Sequence, residues 1–310
     1  VNLKQFNATT GKSDINVTGV LENFYGFVFR NQELKGNFNM NSKQLVVSDF
    51  MTTTEAPKTD PNGGEQAKQT KKAEAMKIPA FLNCTLTAKA TTVLYDNLTL
   101  KDVSGKLIIK DEKVTLENVK TSIFGGTIAV NGAVSTKGKT PTFDMNLGLN
   151  QVDIKESFTQ LDLLKSIAPI AGIINGKLNS TIKLNGNLDA VELTPDLKSI
   201  SGDLLGQLLS TTINSNNSTL LTALSSNVKF IDVNKLNLND LKAAITFKDG
   251  KVNVKPFNIK YQDIKATIGG SHGFDQSMNY NIKFDVPAKY LGSEANALLA
   301  KLSPADAAKL

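Results

Sequence analysis

The side chains that most often carry chemistry are sparse in this chain. It has one histidine and one cysteine in 310 residues, so a nucleophile–histidine pair or a multi-histidine metal site would have to be assembled around His272 alone. His272 shares its parity with Ile264 and Ile268 and sits beside the turn at Gly273, which is the setting of a strand-end side chain. Cys84 alternates with Leu82 and Leu86 and reads as a small core residue. Asp111-Glu112 and Asp249-Gly250 fall between alternating segments, where aspartate has a local hydrogen-bonding reason to be. Nothing separates two carboxylates from the rest as an acid–base pair. Asn-x-Thr triplets at Asn7, Asn16, Asn97 and Asn179 match the glycosylation pattern, but an Asn- and Thr-rich β sequence produces these unaided. No phosphate loop, dinucleotide fingerprint or metal-ligand spacing is present, so the expectation is a protein that is not an enzyme, with no catalytic residue, metal or cofactor.

The net charge of +6 and the pI near 9.1 would suit anionic partners. The lysines, however, are spread singly, and the one local cluster, Lys68 to Lys72, lies in a polar stretch. Aromatic residues are few and Trp is absent, which argues against base stacking and against nucleic acid as a partner. Cys84 alone cannot form an internal disulfide, so cysteine usage leaves the compartment open. The chain opens at Val1 inside an alternating segment (Val1, Leu3, Phe6) and reads as part of something longer.

These residues must be carried by strands. In Ile174-Asn-Gly176-Lys-Leu178-Asn-Ser180-Thr-Ile182-Lys-Leu184 the even positions are apolar or small and the odd ones polar. Phe143, Met145, Leu147 and Leu149 alternate in the same way, as do Tyr280, Ile282, Phe284 and Val286. One apolar and one polar face mark antiparallel strands covered on one side. Glycine, a spacer and an apolar residue recur at Gly36, Gly105, Gly126, Gly176 and Gly186, and are expected at strand starts and bends. From Met51 to Met76 there is no Val, Ile, Leu, Phe or Tyr, so residues 52–78 are expected to be a disordered polar linker.

Part of the chain repeats. Leu98-Thr-Leu100-Lys-Asp-Val103 returns as Leu236-Asn-Leu238-Asn-Asp-Leu241, and Gly132 answers Gly270, since 236 − 98 and 270 − 132 both give 138. Beyond a turn, Phe143 to Leu147 answers Tyr280 to Phe284 with a slip of one residue. The repeat units span about 93–172 and 231–302. Helical signals are few. Asp153 with Glu156 forms a capping box ahead of Ile154, Phe158, Leu161 and Leu164, ending near Pro169 and Gly172; Ser218–Ser226 and Ser293–Leu302 are two further candidates. The segment from Leu204 to Leu209 fits helix or strand. The fold class expected is mainly β: a long, curved, largely antiparallel sheet of about fifteen strands built from a duplicated unit with an apolar inner face, plus about three short helices. Three helices about 10–12 Å across would cover only six or seven strands spaced about 4.8 Å apart. The remaining apolar surface must fold on itself or stay open for an apolar ligand.

The run Val93-Leu-Tyr95-Asp-Asn-Leu98-Thr-Leu-Lys-Asp-Val103-Ser-Gly105-Lys-Leu107, continued through Phe124-Gly-Gly126-Thr-Ile128-Ala-Val-Asn-Gly132, resembles the C-terminal region of the AsmA family of bacterial envelope proteins. Gly250 to Phe257, Gly269 to Phe274 and Asp285 to Gly292 extend the likeness, which runs from about Ile78 to Leu302. The resemblance implies three parts: an upstream β segment over 1–51, the linker at 52–78, and an AsmA-like β domain over 79–310. It also implies a periplasmic protein held to the inner membrane by a helix outside this chain, with phospholipid or another acyl lipid and outer-membrane components as partners and a role in outer-membrane homeostasis. Acyl chains would lie on Phe143, Met145, Leu147, Leu149, Ile174, Leu178, Ile182, Leu184, Tyr280, Ile282, Phe284 and Val286. Two other readings compete. One is an assembly factor with a closed, dry core that pairs a strand with an outer-membrane protein. The other is a carbohydrate-binding sandwich, which the lack of Trp weakens.

Overall fold

The computed structural model describes residues 1–50, 75–161, 174–213, 235–275 and 277–290, with 164, 232 and 292 singly. The helix expectations at Ser218–Ser226 and Ser293–Leu302, and most of the polar segment, lie outside these residues. The fold is mainly β. Seven strands come first: β1 (Asn2–Thr10), β2 (Ser13–Leu21), β3 (Leu34–Val46), β4 (Leu82–Tyr95), β5 (Leu98–Lys110), β6 (Lys113–Ile123) and β7 (Gly126–Ser135). Helix α1 (Phe24–Arg30) separates β2 from β3. After β8 (Thr142–Asp153) and α2 (Ile154–Gln160) come β9 (Ile174–Asn187), β10 (Ser201–Ile213), β11 (Lys242–Lys248), β12 (Lys251–Tyr261), β13 (Ile264–Gly273) and β14 (Met278–Asp285). Hydrogen-bonded neighbours follow chain order from β1 to β14. The chain divides into two compact units, one of Val1–Gly148 with Ile182–Ser201, the other of Leu149–Thr181 with Gly202–Leu310.

In the first unit β3 and β4 pair in parallel, Leu34 opposite Leu82 through Val46 opposite Leu94. The pairs from β1 to β3 and from β4 to β7 are antiparallel. The end of the polar segment is pinned to this unit: the Met76 N–H donates to the Ala190 carbonyl at 2.7 Å, and the Ile78 N–H to Thr136 Oγ1 at 2.9 Å. In the second unit β10 to β14 are antiparallel throughout.

The turns follow from residue type. Asp111 and Glu112 both have positive φ, as do Asp249 and Gly250, which is the geometry of a two-residue hairpin loop between right-twisted strands. The Asp153 cap forms as expected, Oδ1 accepting from the Glu156 N–H at 2.9 Å, but α2 closes at Gln160 with the Leu161 N–H donating to the Ser157 carbonyl. Leu204 to Leu209 are strand, inside β10.

The glycines differ from expectation. Gly36, Gly105, Gly176 and Gly186 lie inside strands and only Gly126 begins one. For Gly105 and Gly186 the reason is cross-strand space: a Cβ on Gly105 would strike Val119, and one on Gly186 would press on the Phe143 ring. The aromatic segment forming α1 carries no helical signal in the sequence; Gly26 is its one buried residue, seated against the side chains of Asn23 and Gln32.

Candidate functional site

Strand registers decide which side chains share a face, because successive residues alternate sides. In the first unit, registers align Leu3, Gly19, Phe38, Leu86, Leu107, Leu116 and Gly132 across β1 to β7. None of the seven is buried. A second row, Leu21, Gly36, Cys84, Ile109, Val114 and Val134, runs beside it, with only Gly36 and Cys84 buried. The other face carries Asn16, Asn41 and Lys89 in one row and Thr18, Asn39, Thr87 and Lys106 in the next. Burial pushes the Cys84 thiol pKa up, which disfavours the thiolate, and its Sγ donates to the Leu34 carbonyl at 3.3 Å.

The expected site residues are placed as follows. Phe143, Met145 and Leu147 are half-buried in the first unit, in which Ile182 and Leu184 are buried. In the second, Leu149, Ile174 and Leu178 are half-buried and Tyr280 and Ile282 exposed. Phe284 and Val286 pack around the buried Ile264 together with Leu236, Tyr261 and Tyr290. The row through Phe38, Leu86, Leu107 and Leu116 was not among them; its alternation stands in the sequence, but the alignment of one strand with the next does not.

The slip between the two segments is larger than expected. Gly270 pairs with Tyr280. The backbone that closes on Gly132 belongs to Asp144 and Met145, so Met145, not Phe143, stands where Tyr280 does. The connection before β14 is the shorter, residues 274–277 against 136–141, which resets the register.

Asp14 and Asp49 are engaged structurally. Asp14 accepts from the N–H groups of Gln44 at 2.7 Å and Lys43 at 3.0 Å, which hold its carboxyl below the usual range. Asp49 accepts from Ser13 Oγ at 2.7 Å and from the Lys12 N–H at 2.8 Å, with the same consequence. A shallow polar cleft lined by Asp14, Asn16, Ser42, Lys43, Lys89 and Asp102 therefore has one of its two carboxylates committed to backbone. His272 is 6% exposed; its Nδ1 lies 2.9 Å from the Tyr280 hydroxyl, and burial raises the Tyr280 pKa. Among the described residues no three His, Cys, Asp or Glu side chains are placed to share a metal, and no helix is long and apolar enough to cross a membrane. Comparison with protein-family models, with curated proteins and with solved structures finds no match.

Proposed function

We propose that this chain is a non-enzymatic length of wall from an AsmA-like envelope protein, holding or conducting phospholipid in the periplasm by hydrophobic contact and so supporting outer-membrane homeostasis. The observation that carries this reading is the row of Leu3, Gly19, Phe38, Leu86, Leu107, Leu116 and Gly132, apolar or glycine on seven successive strands and nowhere buried. Seven strands about 4.8 Å apart span about 29 Å, close to the roughly 30 Å that two opposed acyl leaflets fill in a bilayer. Each methylene laid on such a surface contributes about 0.8 kcal/mol, so acyl chains are retained without a specific polar contact. Headgroups would stay toward water at the sheet margin, and membrane attachment would come from a helix outside this chain.

Two hairpins support the reading of a duplicated unit. β12 and β13 begin and end 138 residues after β6 and β7. Their registers agree pair by pair, Val114 with Val134 against Val252 with His272, and each is broken by a bulge at the same step, Leu116/Val119 and Val254/Phe257. A repeated wall lengthens a path without adding a catalytic group.

Mass spectrometry of the delipidated chain after exposure to phospholipid vesicles tests the proposal. Retained phospholipid is expected, lost when Leu107→Asp and Leu116→Asp are combined; a chain that retains none contradicts it. The assembly reading is favoured by one feature, the outermost strand β14, on which Met278, Tyr280 and Ile282 are all exposed.

A further inference from the structure

Lysines that stand singly in the sequence are gathered by strand register. On β11 to β14 one face carries Phe247, Val252 and Ile268, and the other carries lysine. Lys248 stands directly opposite Lys251, and Lys260 directly opposite Lys265. Lys255 sits at the bulge between the two pairs, and Lys242 and Lys283 flank them. All seven are exposed, and none has an ion-pair partner among the described residues. Strands β10 to β14 set only Asp203 and Asp285 against them. In the adjoining turns Asp263 is held by Lys289 and Tyr290 and Asp275 by Ser277, which leaves Asp249 beside the first pair.

The duplication separates this charge from the scaffold that bears it. Positions 138 apart correspond in the β6–β7 and β12–β13 hairpins. Lys255, Lys260 and Lys265 stand where the first hairpin has Glu117, Ser122 and Thr127, and Lys260 pairs with Lys265 as Ser122 pairs with Thr127. On this face the first hairpin sets Lys113 and Lys120 against Glu117, whose carboxylate meets Lys106 at 2.8 Å. The second has Lys251, Lys255, Lys260 and Lys265 and no carboxylate. The fold does not require these lysines, and like charges directly opposite each other destabilise a hairpin. An anionic partner removes that repulsion.

Three properties select the anion. The lysines spread in two dimensions, about 14 Å across four strands and about 30 Å along the strand from Lys251 to Lys260, so they match a plane of charge and not a single track. Between them lies a row of short hydroxyls and amides, Thr246, Asn253, Ser271 and Asn279, with no ring on which a base could stack. The cations are all lysine, a point charge suited to mobile phosphates; bidentate reading of fixed phosphates or base edges uses arginine, which these strands lack. We propose that the lysine face of β11 to β14 docks on the anionic phospholipid headgroups of a membrane surface, by charge and without insertion. The surface is independent of the acyl row, which needs no headgroup charge.

Flotation of the full 310-residue chain with phosphatidylcholine vesicles, with and without phosphatidylglycerol, tests it. At 0.1 M salt the chain should float with the anionic vesicles and not with phosphatidylcholine alone. At 1 M salt it should be released, because the screening length falls from about 10 Å to about 3 Å. Each lysine near such a surface strengthens binding about fivefold. Combining Lys255→Glu, Lys260→Ser and Lys265→Thr installs the residues that the first hairpin already carries, and should weaken binding more than about a hundredfold with an unchanged circular dichroism spectrum. Lys35→Gln, Lys43→Gln, Lys89→Gln and Lys120→Gln together remove the same charge from exposed positions of the first unit and should weaken it less than about threefold. Equal loss in both variants would reduce the effect to net charge and overturn the proposal. So would flotation that survives 1 M salt or needs no phosphatidylglycerol, or a chain that ignores anionic vesicles and binds duplex DNA. Salt-released flotation without retained phospholipid would overturn the acyl row and leave this surface standing; phospholipid retained without flotation does the reverse.

Discussion

The β6–β7 and β12–β13 hairpins have strands of equal length, matching registers and a bulge at the same step, yet different residues hold that bulge. In the first, Asn118 takes positive φ and its N–H donates to Asn131 Oδ1 at 2.8 Å. In the second, Pro256 occupies the bulge, where its missing N–H costs nothing, and Gly269 leaves room for the ring. The side chains across the hairpins diverge as well. Val114 and Val134 are half-buried, but their counterparts Val252 and His272 are buried, and Tyr280 stands where the first hairpin meets Met145. The backbone plan is common to both; burial differs, with Val114 and Val134 of the first hairpin half-buried and the second beside a polar His272–Tyr280 contact.

The sharpest way to break the comparison is at the two glycines. Gly132 and Gly270 have φ of 156° and 151°, and a side chain on either would meet the carbonyl oxygen of the next strand. Gly132→Val and Gly270→Val should each cost about 3 kcal/mol in urea unfolding, from backbone strain and overpacking; unequal losses would show that the hairpins differ in plan and not only in cover. Val252→Ala should cost about 2 kcal/mol and Val114→Ala about 1, because only Val252 is fully enclosed. Equal losses would mean that Val114 is as enclosed as Val252. Smaller still, Asn131→Ala and Tyr280→Phe should each cost about 1 kcal/mol, one freeing the Asn118 N–H and the other removing the partner of His272 Nδ1.

The weakest expected effect is on pH. The folded-state pKa of Asp14 is lowered by the N–H groups of Gln44 and Lys43, so its contribution is complete above the unfolded value near 3.9 and is lost as pH falls through the lower folded value. Acid titration of the unfolding midpoint should show the first unit losing stability below about pH 4, and Asp14→Asn should flatten that slope.

Much of the wall is legible in the sequence and its assembly is not. Alternation from Ile174 to Leu184 and the turn pairs Asp111-Glu112 and Asp249-Gly250 announce strands and hairpins, since side-chain parity and left-handed turn residues are local properties. The Asp153 cap is equally local. Gly36 and Gly105 are not legible in this way, because whether a glycine marks a turn or faces a bulky neighbour depends on register. The row through Phe38 and Leu116 has the same dependence: each strand shows its own parity and none shows its neighbour's alignment. Helix α1 escapes because its aromatic residues favour strands, while Phe27 rests on Phe81, a residue distant in sequence.

The central claim, that the row from Leu3 to Gly132 holds acyl chains, has a direct test, since the chain contains no tryptophan. Phe38→Trp places a single reporter on the row and Asn39→Trp places one on the opposite face of β3. With phospholipid brominated along its acyl chains, the account predicts strong quenching of the reporter at 38 and little at 39. Equal quenching at both positions, or none at either, would contradict it.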